Sequence, residues 1–377
     1  MDGSVAEGRI GAAPGIGCRV ATPLDDADLR ALLRGNPMGG WVSVAMEREP
    51  SFFSALIAGE EHQAIIARDA ATGAAVGMCA RTVRSAYING AATPLGYIGE
   101  LRIAADHRHR FRIIRQGFET LQRELHEPGQ TPFYLTAIVA DNAPARRLLE
   151  ANLPGKPRYR PVADCTTLAI RTQGHARFKP ERAGEADIAE IVACLRRNHS
   201  RYQFAPVWTE AMLREAPECG GPRVSDFVVH RAGGRISGCV ALWDQSHVRQ
   251  AVIRGYHPHI ARLRPLLNLV GRWTGLPRLP RAGEKLHQVH LSLAAVDGDD
   301  PDVLALLVKS GLAEAARRGF YLAVIAMADG NPMLPALRRS FKARDYRSRL
   351  YLVHWDDGRA AIEDLAPLPL HVEAGLL

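Results

Sequence analysis

The sequence lacks several features that would fix its class at once. It has no apolar run near the roughly 18 residues that a membrane-spanning helix needs. Its first residues, MDGSVAEGRIGAAPGIG, lack the apolar core of a signal peptide. None of its six cysteines forms a C-x-x-C pair, so no structural zinc or other metal site is predicted. We therefore expect a cytoplasmic protein without a metal and without a membrane role.

Length and charge further limit the class of protein and the ligands it could bind. The 377 residues are 47% hydrophobic and 23% charged, which is typical of a soluble globular protein with two domains. The formal net charge of +8 comes mostly from arginine, whose planar fork binds phosphate groups. This charge suits a phosphate-bearing ligand as well as nucleic acid, but nucleic acid is disfavoured because basic and aromatic residues do not interleave.

Hydrophobic periodicity predicts an alternation of strands and helices. In the first half we predict strands at 19–22, 41–46, 62–68, 74–82, 96–104, 133–139 and 165–171, and helices at 25–34, 52–57, 112–125 and 142–151. In the second half we predict strands at 177–179, 227–230, 235–243, 286–296, 320–327 and 346–355, and helices at 185–198, 301–318 and 331–341.

The element order of the first half recurs in the second, which predicts an internal repeat. The predicted fold class is α/β (α+β), with two tandem domains, each a mixed central sheet flanked by helices. A disordered N-terminus would cover 1–16, the domains 17–172 and 176–356, and a tail 357–377. A Pro-, Arg- and Leu-rich stretch near 257–284 is predicted as an insertion, helical at 260–273.

The most informative stretch is GELRIAADHRHRFRIIRQGFETLQ, residues 99–122. A predicted strand ends there, a turn rich in arginine and histidine follows, and a helix begins. Because a helix N-terminus offers unpaired N–H groups and a positive dipole end, this junction suits a pyrophosphate. A solvated basic helix start and a nucleic-acid contact are the alternatives.

This junction resembles the acyl-CoA site of the GNAT (Gcn5-related N-acetyltransferase) superfamily. In that family a central strand runs into a loop of pattern Q/R-x-x-G-x-G/A, whose amides hold the pyrophosphate of acetyl-CoA. Phe111 and Ile113 stand where the family has small residues, so arginine side chains would supply contacts in place of amides. The cofactor-binding residues that the resemblance implies are Leu101, Arg102, Ile103, Arg108, His109, Arg110, Phe111, Arg112 and Ile113.

The stretch FYLTAIVADNAPARRLLEANLPG, residues 133–155, carries a second resemblance. GNAT proteins follow the next strand with N-x-x-A and a helix, and Asn142 and Ala145 fit this pattern. Asn142 is thus a further cofactor-binding candidate, with a helix cap as the alternative reading. Leu149 stands where the family often has a tyrosine as general acid, so the usual proton donor is missing.

Glu100 is the candidate catalytic base. It lies on the strand beside the expected thioester position, and an amine must lose a proton before it attacks. A buried, paired structural glutamate is the alternative. Tyr97 and Tyr134 could supply a hydroxyl group, although core packing is expected for both.

The second half offers weaker signals. Its equivalent turn, 296–302, holds four aspartates that would repel a pyrophosphate. Trp243, Asp244 and Gln245 follow a predicted strand, where polar and aromatic side chains often face a cleft, so we predict substrate binding there, with structural hydrogen bonding as the alternative.

The resemblance implies an acyl-CoA-dependent N-acyltransferase that uses acetyl-CoA or another acyl-CoA in the first domain. Its partner would be an amine of a small molecule or peptide. The alternatives are a non-catalytic GNAT-like binding or sensing protein, an acyltransferase supplied by an acyl-carrier protein, and a nucleic-acid binder.

Overall fold

The structure is a computed structural model that describes residues 15–107, 111–127, 129–151, 153–172, 181–274 and 279–377. Three sequence predictions therefore lie wholly or mostly outside the described residues. They are the disordered N-terminus, the strand at 177–179 and the phosphate-turn residues 108–110. The proposed domain boundary at 172–176 also falls mostly outside, and the division into domains stays a prediction.

Apart from the strand Arg249–Tyr256, the strands in the described residues lie at the predicted places, with bounds that differ by several residues in some cases. They are β1 (Ile16–Val20), β2 (Val42–Arg48), β3 (Glu61–Asp69), β4 (Ala75–Ile88), β5 (Ala91–Ile103), β6 (Phe133–Val139), β7 (Arg158–Arg171), β8 (Phe227–Ala232), β9 (Arg235–Trp243), β10 (Arg249–Tyr256), β11 (Gln288–Val296), β12 (Leu322–Ala328) and β13 (Ala343–His354). The predicted mixed α/β fold class is confirmed.

Most of the α-helices match predicted periodic segments, but the helices Glu210–Glu215 and Arg359–Glu363 were not predicted, and one predicted helix is absent, as described below. They are α1 (Asp26–Gly35), α2 (Phe111–Leu125), α3 (Ala143–Glu150), α4 (Ile188–His199), α5 (Glu210–Glu215), α6 (Pro258–Thr274), α7 (Pro301–Arg317), α8 (Leu334–Ser340) and α9 (Arg359–Glu363). None of the helices in the described ranges is long and apolar enough to cross a membrane.

The predicted helix at 52–57 is wrong, because the segment is a series of turns. Asp26 Oδ1 accepts hydrogen bonds from the Ser51 hydroxyl and the Phe52 amide, both at 2.8 Å. The carbonyl oxygen of Phe52 accepts from Arg48 Nε at 2.8 Å, and that of Ser54 accepts from the same guanidinium. These side chains occupy backbone groups that a helix would pair internally, so the apolar pattern marks burial and not helical periodicity.

Eleven strands form one continuous sheet whose order reveals an exchange of final strands. The order is β1-β3-β4-β5-β6-β13-β7-β12-β11-β9-β8. β13 comes from the second half of the chain, yet it lies between β6 and β7 of the first half. β7, the last strand of the first half, in turn pairs with β12 of the second. Each half thus completes the sheet of the other.

The predicted internal repeat is visible in the backbone geometry. Glu100 on β5 and Leu293 on β11 both adopt a left-handed conformation with φ of 53°. Each lies where its strand shifts register against its neighbour, β4 in the first case and β9 in the second. Both strands also pair only briefly with a parallel partner, β6 or β12. The halves therefore share a bulged central strand that the sequence repeat implied only by element order.

Helices cover both faces of the sheet. α1 and α4 pack on one face, where Leu29, Leu33 and Ile191 are fully or almost fully buried. α2 and α7 pack on the other face through residues such as Phe118 and Leu307. The face under α1 and α4 also receives the tail beyond α9. This face carries the charged cluster described below.

A two-stranded ribbon joins the halves across that face. β10, which the sequence analysis missed, pairs antiparallel with β2, so that Arg249 lies opposite Arg48. The Gln250 side chain fixes the ribbon because its amide nitrogen donates to Glu49 O at 2.9 Å and its oxygen accepts from Glu49 N at 3.1 Å. The helical part of the predicted insertion follows as α6.

Candidate functional site

The central strand of the first half has an open edge. β5 and β6 form parallel pairs only at Gly96 with Tyr134 and at Tyr97 with Leu135, although β5 continues to Ile103. At the last pairs the strands pack closely, since a β-carbon on Gly96 would lie 2.3 Å from Tyr134 Cδ1. Beyond this point an extended ligand could pair with β5 as an added strand would. The predicted residues 101–103 form this edge.

The equivalent edge in the second half is filled by the protein itself. β11 and β12 pair only from Gln288 to His290. Beyond the bulge, Leu293 N donates to Glu373 Oε2 at 2.8 Å, and Ala294 O lies 3.2 Å from His199 Nε2. Glu373 belongs to the tail, which packs against both strands. The sequence prediction placed the ligand in the first half, and this asymmetry favours the same half.

An apolar slot lies beside the open edge, between α2 and strands β3 to β5. Its lining includes Ile65, Cys79, Leu101, Ile113 and Gly117, and Arg102 is the charged residue among the residues that form it. Gly117 faces open space, because no atom lies within 4 Å of the position its β-carbon would take. The slot is apolar apart from Arg102.

The start of α2 is the described part of the predicted phosphate turn. Ile113 is 4% exposed and packs against the sheet, so its side chain belongs to the core and only its backbone faces the turn. Arg112 is exposed. The first amides of a helix have no partner within it and suit an anion. Arg108, His109 and Arg110 lie outside the described residues, and their role stays a prediction.

Asn142 is a helix cap in this structure. Its side-chain oxygen accepts a hydrogen bond from Ala145 N at 3.2 Å, at the start of α3. The other end of α3 is capped by Lys156, a buried residue that the sequence analysis missed. Lys156 Nζ donates to the carbonyl oxygens of Leu148 and Ala151. The alternative reading of Asn142 as a cap is confirmed, and its contact with a cofactor stays a prediction.

Glu100 lies at the bulge of β5 and is largely buried, with 12% of its side chain exposed. Its Oε1 is 3.7 Å from Arg48 Nη1. Its Oε2 is buried and has no hydrogen-bond partner among the described residues, so one acceptor position of the carboxylate is unused. Paired burial and a catalytic role are therefore compatible for this residue.

The electrostatics of Glu100 keep it ionised. Burial by itself raises the pKa of this carboxyl group, but the positive charges of Arg48, Arg249 and Arg102 outweigh burial, and the net pKa is below its ordinary value. At neutral pH the group is a carboxylate, which is the form that a base requires.

His62, Arg48 and Arg249 complete this cluster, and the sequence analysis missed all three. His62 Nδ1 lies 2.9 Å from Thr82 Oγ1, and its Nε2 has no described partner. Burial lowers the pKa of His62 to about 4, followed by the charge of Arg48, so its ring is neutral at pH 7. His62 is therefore a second group that could accept a proton. Only the pairing of β2 with β10 brings Arg249 here, and no local pattern predicts that pairing.

The predicted substrate residues of the second half separate into different environments. Trp243 is fully buried, its indole donates to Gly220 O at 2.7 Å, and its ring packs against Trp208. A side chain in this position cannot touch a substrate, so the prediction for Trp243 is corrected to core packing. Asp244 Oδ1 accepts from Ser246 N at 2.9 Å, which ends β9 in a turn. Gln245 lines a cavity discussed below.

Tyr97 and Tyr134 lie on opposite faces of the sheet. Tyr97 pairs in register with Thr82, and so shares the face of His62. The Tyr134 hydroxyl lies 2.9 Å from His126 Nδ1, on the face covered by α2. The expected packing role holds for Tyr134, whereas Tyr97 lines a cavity beside the tail.

Within the described ranges, no group of three or more His, Cys, Asp or Glu side chains is arranged to hold a metal ion. The six cysteines are all free thiols.

Three histidines make the free energy of unfolding depend on pH. Burial lowers the pKa of His62, His199 and His290 from 6.5 to about 4 in each case. Between these values the unfolded chain binds protons that the folded chain does not, so the free energy of unfolding falls as pH falls from about 6.5 towards 4. Urea unfolding at several pH values should show this loss and little change from pH 7 to 8. His199→Gln should flatten the dependence, whereas His257→Gln, at an exposed site, should not.

Comparison with solved structures identifies the fold. A crystal structure of Saccharomyces cerevisiae N-myristoyltransferase with bound myristoyl-CoA aligns with a TM-score of 0.60 and 13% identity, covering 93% of this chain and 81% of that one. A GCN5-related glucosamine N-acetyltransferase region of a fungal multi-domain GH3 β-N-acetylglucosaminidase aligns with a TM-score of 0.56 and 14% identity, covering 91% of this chain and 38% of that one. The chain has the GNAT fold.

The GNAT fold predicted from the basic turn is thus confirmed. No protein-family model matches the chain. No curated protein matches it by sequence. At identities this low the similarity establishes the fold alone, and any activity has to be argued from the site.

Proposed function

We propose that this protein is an acyl-CoA-dependent N-acyltransferase whose acyl-CoA site lies in the first half. One observation carries the proposal: β5 keeps an open edge beside a buried carboxylate, Glu100, whereas the matching edge of β11 is filled by the tail. The yeast structure of the same fold contains myristoyl-CoA, and the fungal region is a glucosamine N-acetyltransferase, which supports an acyl-CoA and an amine here.

The proposed site assigns a task to each element. The open edge at 101–103 would align the pantetheine arm through backbone hydrogen bonds. Arg108, Arg110 and Arg112, with His109 and the first amides of α2, would hold the pyrophosphate. The apolar slot beside Gly117 would take the acyl chain. Asn142 lies at the start of α3, just beyond the end of β6, and would also contact the cofactor.

The reaction is a direct transfer. The amine nitrogen forms a bond to the thioester carbonyl carbon, the carbon–sulfur bond breaks, and the CoA thiol leaves. An ammonium group loses two protons overall: one ends on the thiol, and the other passes through Glu100 to solvent. Glu100 is suited to the second task because it is ionised and keeps one free oxygen.

Calorimetric titration with acetyl-CoA and dodecanoyl-CoA tests the proposal. We expect one site per chain and tighter binding of the longer acyl-CoA. Arg108→Ala plus Arg110→Ala should weaken both ligands by about tenfold or more, because charge-assisted hydrogen bonds are lost. Gly117→Leu should weaken only dodecanoyl-CoA by filling the slot. The control is Arg123→Ala plus Arg359→Ala, which removes two exposed arginines elsewhere.

The other outcomes separate the alternatives. Binding that survives the Arg108 and Arg110 substitutions would remove the assigned pyrophosphate site. Binding without transfer to any amine would favour a sensing protein. Failure of both ligands to bind would contradict an acyl-CoA donor and favour an acyl-carrier protein donor or a non-catalytic scaffold.

A further inference from the structure

A second cavity lies against the ribbon, on the second-half side of Glu100. It is bounded by β2, the β9–β10 turn, β10, β11 and the tail, and its polar lining comprises Gln245, Ser246, Arg249, Gln250, Lys285, Gln288 and His290. Two lining residues are cationic, and none of the described lining residues is acidic. The described side chains of the cavity therefore carry a net positive charge, and Leu377, the last residue of the sequence, also lies on its wall.

The ribbon brings two positive charges together. Arg48 and Arg249 are direct cross-strand partners, and like charges in this position destabilise a strand pair. Glu100 lies beside Arg48 and offsets one of the two charges. Arg249 forms no ion pair with the described Asp and Glu side chains, and its Nε has no hydrogen-bond partner among them.

Two acids whose charges act on His290, on the cavity wall, are already hydrogen-bonded. Glu373 accepts a hydrogen bond from Leu293 N at 2.8 Å, and Asp244 accepts one from Ser246 N at 2.9 Å. Neither is among the residues that line the cavity. Arg249 is thus held at the ribbon by backbone pairing and forms no direct ion pair with a described Asp or Glu side chain.

Other unpartnered groups surround the same cavity. Gln245 is 3% exposed, its nitrogen donates to Gly375 O at 2.7 Å, and its oxygen has no partner in the described ranges. His290 Nδ1 is likewise buried and unpartnered. Buried polar atoms are normally hydrogen-bonded, so this concentration around one cavity indicates a ligand site.

The cavity and Glu100 are electrostatically joined through Arg249. The charge of Arg249 lowers the pKa of Glu100 and, after burial, that of His290 on the cavity wall. Arg249 also lies opposite Arg48 on the ribbon, and Arg48 Nη1 is 3.7 Å from Glu100 Oε1, so an anion bound at Arg249 would lie on the Glu100 side of the ribbon. The acceptor amine is required at the unpartnered oxygen of Glu100, Oε2.

We infer that Arg249 binds the carboxylate of the acceptor, which is an amine that also carries a carboxylate group, as amino acids and peptides do. This inference rests on the proposed function for the direction of the amine. The guanidinium fork matches a carboxylate in two parallel hydrogen bonds, and Gln245 and His290 lie beside it to bind polar atoms of the same molecule.

Matched pairs of acceptors test the inference. Release of the CoA thiol from the acyl-CoA that binds is measured with α-amino acids and with their amides, and then with dipeptides and their amides. The carboxylate member should have a kcat/KM higher by about tenfold or more, because a charge-assisted pair is lost with the amide. Preference for the amino acids or for the dipeptides identifies the source of the carboxylate.

Variants at Arg249 locate the effect. In Arg249→Gln the ratio of acid to amide should fall to near one, because the carboxylate loses its partner, whereas any effect of the lost charge on Glu100 is shared by both members of the pair. Arg249→Lys should keep part of the ratio. Arg262→Gln, which removes an exposed arginine on α6, should leave the ratio unchanged. Arg249→Gln should not lower the melting temperature, because it removes the like charge opposite Arg48. Loss of folding will therefore not obscure the result.

A binding experiment separates this inference from the proposed function. N-acetyl amino acids should raise the melting temperature of the wild-type protein but not of Arg249→Gln, and N-acetyl amino acid amides should raise neither. Transfer that is equal for acids and amides would overturn the carboxylate site and leave the transferase standing. Stabilisation that depends on the carboxylate, without any transfer, would overturn the transferase and leave the carboxylate site standing. The absence of both effects would also overturn the site.

Discussion

Replacing Glu100 with glutamine is expected to lower kcat by about 10²- to 10⁴-fold, the usual contribution of a positioned base. Glutamine keeps the size of the side chain, but it carries no charge to pair with Arg48 and cannot take up a proton. Binding of acyl-CoA should be unchanged, because the carboxylate faces the acceptor and not the donor. Single-turnover thiol release and calorimetry together measure these two quantities.

Two matched variants make the result specific. Glu61→Gln removes a carboxylate that is 56% exposed and should leave kcat unchanged. His62→Gln removes the other unpartnered proton acceptor of the cluster. A normal kcat in Glu100→Gln, combined with a loss in His62→Gln, would assign the base to His62. A normal kcat in both variants would contradict base catalysis by this cluster.

Leu352→Ala is expected to lower the free energy of unfolding by about 2–5 kcal/mol, since deletion of a fully buried leucine leaves a cavity. Leu352 lies on β13 and pairs with Leu135 on β6 and with Arg160 on β7. The exchange of strands therefore predicts that damage in the second half of the chain loosens the first. Amide hydrogen exchange, resolved by peptide, measures this effect.

The peptides that contain β6 and β7 should lose protection to a similar degree in Leu352→Ala. Leu263→Ala, at a side chain 49% exposed on α6, should change stability by less than about 0.5 kcal/mol and leave exchange unaltered. If β6 kept its full protection in Leu352→Ala, the exchanged arrangement would be contradicted.

The parts of the fold that were predictable from sequence depend on local periodicity. α2, α4 and α7 carry apolar residues at helical spacing, and β6 and β12 are short apolar runs between turns, so each was recognised. The segment at 52–57 shows the limit of this method. Its apolar residues are buried without being helical, because Asp26 and Arg48 take its backbone hydrogen bonds.

The candidate site was only partly predictable for the same reason. Glu100 was identifiable because it lies on the strand that runs into a recognisable turn motif, eight residues before Arg108. Arg249 is 149 positions further along the chain and reaches the site through β10, whose short polar sequence has no strong strand pattern. The prediction for Trp243 was wrong because an aromatic residue at a strand end gives the same sequence pattern whether its side chain faces a cleft or the core. Long-range pairing decides such cases, and one sequence does not encode it locally.

The place of β13 also has a consequence for the growing chain on the ribosome. The strand is made roughly two hundred residues after β6, which at about 5–20 residues per second means a wait of about 10–40 s. Throughout this interval the backbone groups of β6 that face β13 have no strand to pair with, and such an edge can recruit strands from other nascent chains. Slow translation between β7 and β13 would lengthen that exposure, so the timing of synthesis is itself a determinant of how much of this protein reaches its native state.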